Sequence, residues 1–213
     1  MGAHITYFLR WSGVLVTGGG LVQVAATLAD PDLYDARSLS NRFEAPDHVL
    51  YWVAYLMLSA GLPGLFFVQV DRIGKAGAVG FLLALVGSAL TMAVSIITAH
   101  VLPVTVPILG AAATLAQLVQ PGGKLNSLLV PVVLTALTFF PGYILFGVAS
   151  ARARVFPSWC GWLIAAGATL TIAAVAGPPA RVPVSIGAVL MGAAWLGFGR
   201  ACLVPGSFAA RHR

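Results

Sequence analysis

Six stretches of the chain are uniformly apolar: 11–29, 49–70, 76–98, 127–150, 159–177 and 182–199. None holds an Asp, Glu, Lys or Arg. At 1.5 Å per residue each is about long enough for a hydrocarbon core of ~30 Å. Lipid cannot satisfy unpaired backbone groups, so stretches of this kind are expected to be helices. The pattern predicts an all-α polytopic transmembrane bundle, one membrane domain over 1–213. Arg10 ahead of an apolar run resembles a signal peptide, but the run exceeds a usual signal core and is read as a span.

A seventh uncharged stretch, 101–120, is decided by charge. With six spans and the N-terminus inside, Arg10, Arg72, Lys75, Arg152, Arg154, Arg200, Arg211 and Arg213 are cytoplasmic. Arg37, Arg42, Lys124 and Arg181 are then outside. If 101–120 also crossed, everything after it would flip and the cations would gather outside, against the cytoplasmic preference of basic residues. Pro103 and Pro107 each remove a backbone donor near its start. Beyond them Thr114, Gln117 and Gln120 form a polar stripe at helical spacing. The expectation is six spans plus an outer interfacial or re-entrant helix near 103–120, with both termini in the cytoplasm.

Composition reinforces the class. Of 213 residues, 59% are hydrophobic and 8% charged, with a mean hydropathy of +0.94, whereas a soluble domain carries about a quarter charged residues. Disorder, a collagen repeat and a disulfide scaffold are excluded. The pI of 9.9 needs no nucleic-acid partner, because a basic cytoplasmic face already attracts anionic lipid headgroups. Aromatic residues near the predicted span ends are expected to form interfacial belts: Tyr7, Phe8 and Trp11; Tyr51, Trp52 and Tyr55; Phe156, Trp159 and Trp162; Trp195 and Phe198. Gly80, Ala84 and Ser88, and Ala188 with Gly192, are small-residue faces suited to close helix packing. Pro63-Gly64 and Pro141-Gly142 interrupt spans two and four at similar depth, each ahead of a short basic turn. They are plain kinks, or the paired interruptions that mark a midplane site in a transporter built from repeats.

Groups able to do chemistry are few. The spans have no intramembrane acid of the kind that ion-coupled transporters keep. Lys75 and Lys124 lie in connections, which excludes a retinal Schiff base. Cys160 and Cys202 fall at cytoplasmic helix ends without a CxxC pattern, away from thiol-redox chemistry. Asp30, Asp32 and Asp35 open an acidic outer loop, 30–48, that lacks the glycine and closing glutamate of an EF-hand and reads as a solvated loop. Asp47 is the expected N-cap of span two, which puts His48 in its first turn. His100 closes span three on the same side, where its partial charge suits a helix C-terminus. A pair of imidazoles there could ligate haem iron or another metal, or relay protons.

The Pro46-Asp47-His48 start of span two, the basic turn after it, the proline soon after span three (His100-Val101-Leu102-Pro103) and LFGVASARARVFPSW between spans four and five together resemble a broad group of uncharacterised small six-span bacterial membrane proteins. The resemblance implies topology and no activity. The Lys-poor, Ala/Val/Gly/Arg-rich composition suits a GC-rich bacterial genome. The expected function is that of an inner-membrane protein with no catalytic residues, surrounded by membrane lipids and holding a lipid-like ligand or a partner subunit. Two alternatives stand beside it: a transporter or lipid-handling protein hinged at Pro63 and Pro141, and a membrane enzyme or haem or metal carrier using His48 and His100. No cofactor is assigned.

Overall fold

The computed structural model describes residues 3–30, 44–176 and 181–204. Among these every element is a helix: α1 (Ala3–Ala29), α2 (Glu44–His100), α3 (Leu102–Leu109), α4 (Ala111–Val119), α5 (Leu129–Ala153), α6 (Ser158–Ala176) and α7 (Arg181–Leu203), with a 3-10 turn, Asn126–Leu128, before α5. By length and composition α1, α2, α5 and α7 are able to cross a membrane, and α6 is a shorter apolar helix. Asp32, Asp35, Arg37, Arg42, Arg211 and Arg213 lie outside the described residues.

The 57 residues of α2 do not form one rod. Gly74 adopts φ 69°, ψ 177°, a conformation open to glycine and costly with a Cβ. The chain folds back there, and the Phe66 and Phe81 rings stack with centroids 4.2 Å apart. Fifteen residues of straight helix would hold them about 22 Å apart. The two arms, 44–73 and 75–100, are the hairpin that the polar turn at Asp71–Lys75 predicted.

The stretch 101–120 is not a continuous helix. Pro103 falls in the first turn of α3, where a missing N–H costs little, and Pro107 is accommodated inside α3. The break comes at Gly110, with φ 81° and ψ 152°. At 8 and 9 residues, α3 and α4 span about 12 and 14 Å, too short to cross ~30 Å singly. Of the polar stripe, Thr114 is buried, and the Gln117 side-chain oxygen accepts the Lys124 N–H at 2.8 Å.

The six long segments close a ring. α1 packs on α2 and α7, α2 on α5, α5 on α6, and α6 on α7. Glycine makes these contacts close. A Cβ on Gly87 would overlap the Phe139 backbone, and one on Gly142 would overlap Leu83 and Ala84. Gly147 and Gly161 face each other between α5 and α6, as Gly167 and Gly187 do between α6 and α7. The predicted small-residue faces hold: Gly80 and Ala84 meet α5, and Gly192 meets Val24 of α1. Gly64 and Gly142, beside the two prolines, each face the preceding long segment. Both prolines lie within helices whose backbone stays helical around them.

Large apolar side chains point outward on every long segment, among them Leu21, Phe67, Leu82, Leu137, Trp162 and Val189. Inside runs an aromatic spine. Tyr51 stacks on Tyr55, Tyr55 meets Phe139, Phe139 meets Tyr143, Tyr143 meets Trp195, and Trp195 leads through Phe198 to Phe156. Such pairs contribute about 0.5–1.5 kcal/mol each beyond the burial of their area. This corrects the aromatic belts in part. Tyr7, Trp11, Trp159 and Trp162 are exposed as expected, but Phe156, Trp195 and Phe198 are fully buried and Tyr55 is 5% exposed.

Two substitutions test how the ring closes. Gly142→Val should destabilise the folded protein by about 3 kcal/mol, since the obstacle is backbone that cannot repack. Gly110→Ala, strained only by its φ and open around its Cα, should cost about 1–2 kcal/mol. Thermal unfolding in detergent should rank them in that order.

Candidate functional site

For orientation, the end of the bundle with Asp30 and Asp47 is the acidic end, and the end with Arg10, Arg72, Lys75, Arg152, Arg154 and Arg200 is the basic end. In the acidic half the ring encloses a half-open cavity of ≈ 220 Å³. All six long segments line it: Gln23 and Thr27 of α1, Tyr51 and Tyr55 of the first α2 arm, and Thr91 of the second. Thr135, Phe139 and Phe140 of α5, Thr171 of α6, and Val184, Ala188 and Met191 of α7 complete the wall. The wall holds no Asp, Glu, Lys, Arg or His.

Gln23 organises the floor. The Trp195 indole N–H donates to the Gln23 amide oxygen at 3.3 Å. Because an indole nitrogen only donates, the oxygen must face it, and the amide nitrogen is thereby turned away. That nitrogen donates to the Tyr55 hydroxyl at 3.4 Å. Higher up, the Tyr51 hydroxyl donates to Thr27 Oγ1 at 3.0 Å, and Thr27 donates to the Gln23 carbonyl at 3.0 Å. A buried amide left unpaired costs about 1–3 kcal/mol. Here both of its ends are used, which is why two aromatic side chains expected at the interface turn inward.

The rim above Tyr51 carries the acidic groups. Asp47 is 2% and His48 9% exposed, and their side chains lie 3.0 Å apart, His48 Nδ1 to Asp47 Oδ1. The His48 ring meets Tyr51 edge-on at 5.7 Å. Since α2 begins at Glu44, Asp47 sits within the first turn and holds the imidazole, where the sequence suggested an N-cap. Asp30, at the end of α1, is also buried. Opposite, the Arg181 guanidinium donates to the Leu28 carbonyl at 3.0 Å and ties α7 to α1.

His100 is exposed at the end of the second α2 arm. Neither histidine lines the cavity, and neither Pro63 nor Pro141 does. Among the described residues no group of three or more His, Cys, Asp or Glu side chains is placed to hold a metal ion. At the basic end both cysteines are buried. The residues that sequence reasoning passed over are Gln23, Tyr55, Trp195 and the four threonines. The signal was there in Gln23, an amide in the middle of an otherwise apolar span.

No protein-family model matches the chain, and no match is found among curated proteins or solved structures.

The Gln23 link can be measured by a double-mutant cycle. Gln23→Leu should cost about 1–3 kcal/mol by stranding the Trp195 N–H. Trp195→Phe combined with it should cost less than the two single changes together, by about 1 kcal/mol. Unfolding in denaturant gives the coupling.

Proposed function

We propose that this is a six-span integral membrane protein of the cytoplasmic membrane that holds a small, uncharged, lipid-like ligand in its axial cavity. The observation that carries this reading is the cavity wall. Every long segment contributes to it, it is largely aromatic and aliphatic, and it contains no charged side chain. A charged ligand would lose its hydration there without a counter-charge, whereas apolar and aromatic surfaces around a few polar groups suit a small neutral ligand. The wall's lack of Asp, Glu, Lys, Arg and His also favours binding over ion coupling.

On this reading the two α2 arms, α1, α5, α6 and α7 are the six spans, and α3–α4 lies at the outer surface. The basic end faces the cytoplasm, where anionic headgroups meet Arg72, Lys75 and Arg152. The proposed topology agrees with that of the uncharacterised six-span bacterial group that the chain resembles. The pair Pro63 and Pro141, away from the wall, belongs in this reading to helix packing.

Orientation is testable with introduced thiols. The native thiols of Cys160 and Cys202 are both buried. In a background with these two changed to alanine, Lys124→Cys should react with a membrane-impermeant maleimide on intact cells. Arg152→Cys should react only after permeabilisation, and the reverse pattern would mean that 101–120 crosses. Native mass spectrometry of gently purified protein should show a bound neutral lipid-like species of low mass. Its loss on Ala188→Phe, which fills the cavity, would place it there.

A further inference from the structure

We propose that the cavity ligand presents an uncharged oxygen acceptor, in its simplest form a planar carbonyl group, and that the Tyr55 hydroxyl is the donor that binds it. This rests on the cavity being a ligand site and goes further by naming the chemistry that the site selects.

All but one of the hydroxyl protons in the wall have an acceptor within the protein. Thr27, Thr91, Thr135 and Thr171 each donate to the carbonyl four residues earlier in their own helix, at 2.7–3.0 Å. Tyr51 donates to Thr27. Tyr55 differs. Its oxygen accepts from Gln23, so its proton must point elsewhere, and among the described residues no acceptor takes it. The side chain is only 5% exposed, and it lines the cavity. A phenol buried to that degree with an unspent proton is costly unless something in the cavity accepts it.

The chain behind Tyr55 strengthens the donor. Trp195 donates to Gln23 and Gln23 donates to Tyr55, so two hydrogen bonds run in one direction and end at the phenolic proton. Such directed chains polarise their members cooperatively. The walls beside the proton are aromatic. Phe139 stands edge-on to Tyr55 at 5.4 Å and Phe140 edge-on to Phe139 at 5.2 Å, which favours a flat ligand. A dry cavity of about 150 Å³ accommodates benzene, so ≈ 220 Å³ leaves room for roughly nine non-hydrogen atoms. An aryl ketone or a quinone-like ring fits these limits. A carboxylate or phosphate does not, because the wall offers no cation.

The test uses two probes of one shape, acetophenone and α-methylstyrene, which differ only in having C=O or C=CH₂. Binding to the full-length protein in detergent is followed by calorimetry, for the wild type and for Tyr55→Phe. Acetophenone should bind Tyr55→Phe about three- to tenfold more weakly than wild type, as expected for the loss of one net hydrogen bond, while α-methylstyrene changes less than twofold. Retained α-methylstyrene binding shows that the variant is folded. Infrared spectra give a second readout, with the carbonyl stretch of acetophenone in the wild type falling below its value in hydrocarbon. If α-methylstyrene binds and acetophenone is indifferent to Tyr55→Phe, the donor assignment is overturned and the cavity reading survives. An unshifted carbonyl stretch in the wild type overturns it equally, even where the variant does not fold. If neither probe binds the wild type, the cavity reading itself falls and this inference falls with it.

Discussion

A Cβ at Gly87 or Gly142 would overlap the backbone of the facing helix, so α2 and α5 pack backbone against backbone at the centre of the bundle. The same holds for Gly147 with Gly161 and for Gly167 with Gly187. With apolar side chains covering the outer surface, hydrophobic burial between helices cannot alone select one arrangement, and close fit at small residues does. These glycine contacts reach the level of the cavity, since Gly87 meets Phe139 and Gly187 meets Thr171, both residues of its wall.

The polar groups inside the ring follow from the apolar exterior. Gln23, Gln69, Ser88 and Ser150 are buried, and each finds a partner across a helix interface. Gln69 donates to Ser150 at 3.0 Å, and Ser88 pairs with Tyr143 at 2.7 Å. These bonds pin helices to one another in a chosen register, which apolar contacts do loosely. Around the cavity the threonines spend their protons on their own helices. That leaves the wall polar enough to orient a ligand and apolar enough to exclude a charged one.

Much of the architecture was legible because charge and proline are local signals. The turn at Asp71–Lys75 could be read without knowing a neighbour, whereas the stretch near 103–120, expected as one helix disrupted at its start by prolines, is two helices parted at Gly110. The small-residue spacing of Gly80, Ala84 and Ser88 foretold a close crossing, since spacing determines which residues share a face. The site was not legible for the opposite reason. The spans are apolar all round, so no hydrophobic stripe marks the inward face, and an aromatic near a span end reads equally well as a belt or as core. By that ambiguity Tyr55 and Trp195 read as interfacial, and only the Gln23 amide between them explains why they turn inward.

The two histidines differ in their surroundings, and neither lines the cavity. His48 has the more buried position and a carboxylate 3.0 Å away, while His100 is exposed. What His48 touches is Tyr51, and Tyr51 donates to Thr27, whose own proton goes to the Gln23 carbonyl. The rim and the floor of the cavity are thus joined by consecutive contacts along α1 and the first arm of α2. Asp47, in the first turn of that arm, holds the imidazole that meets Tyr51. The acidic rim therefore acts as the upper support of the wall, and the ligand-directed proton lies about two turns below it, at Tyr55.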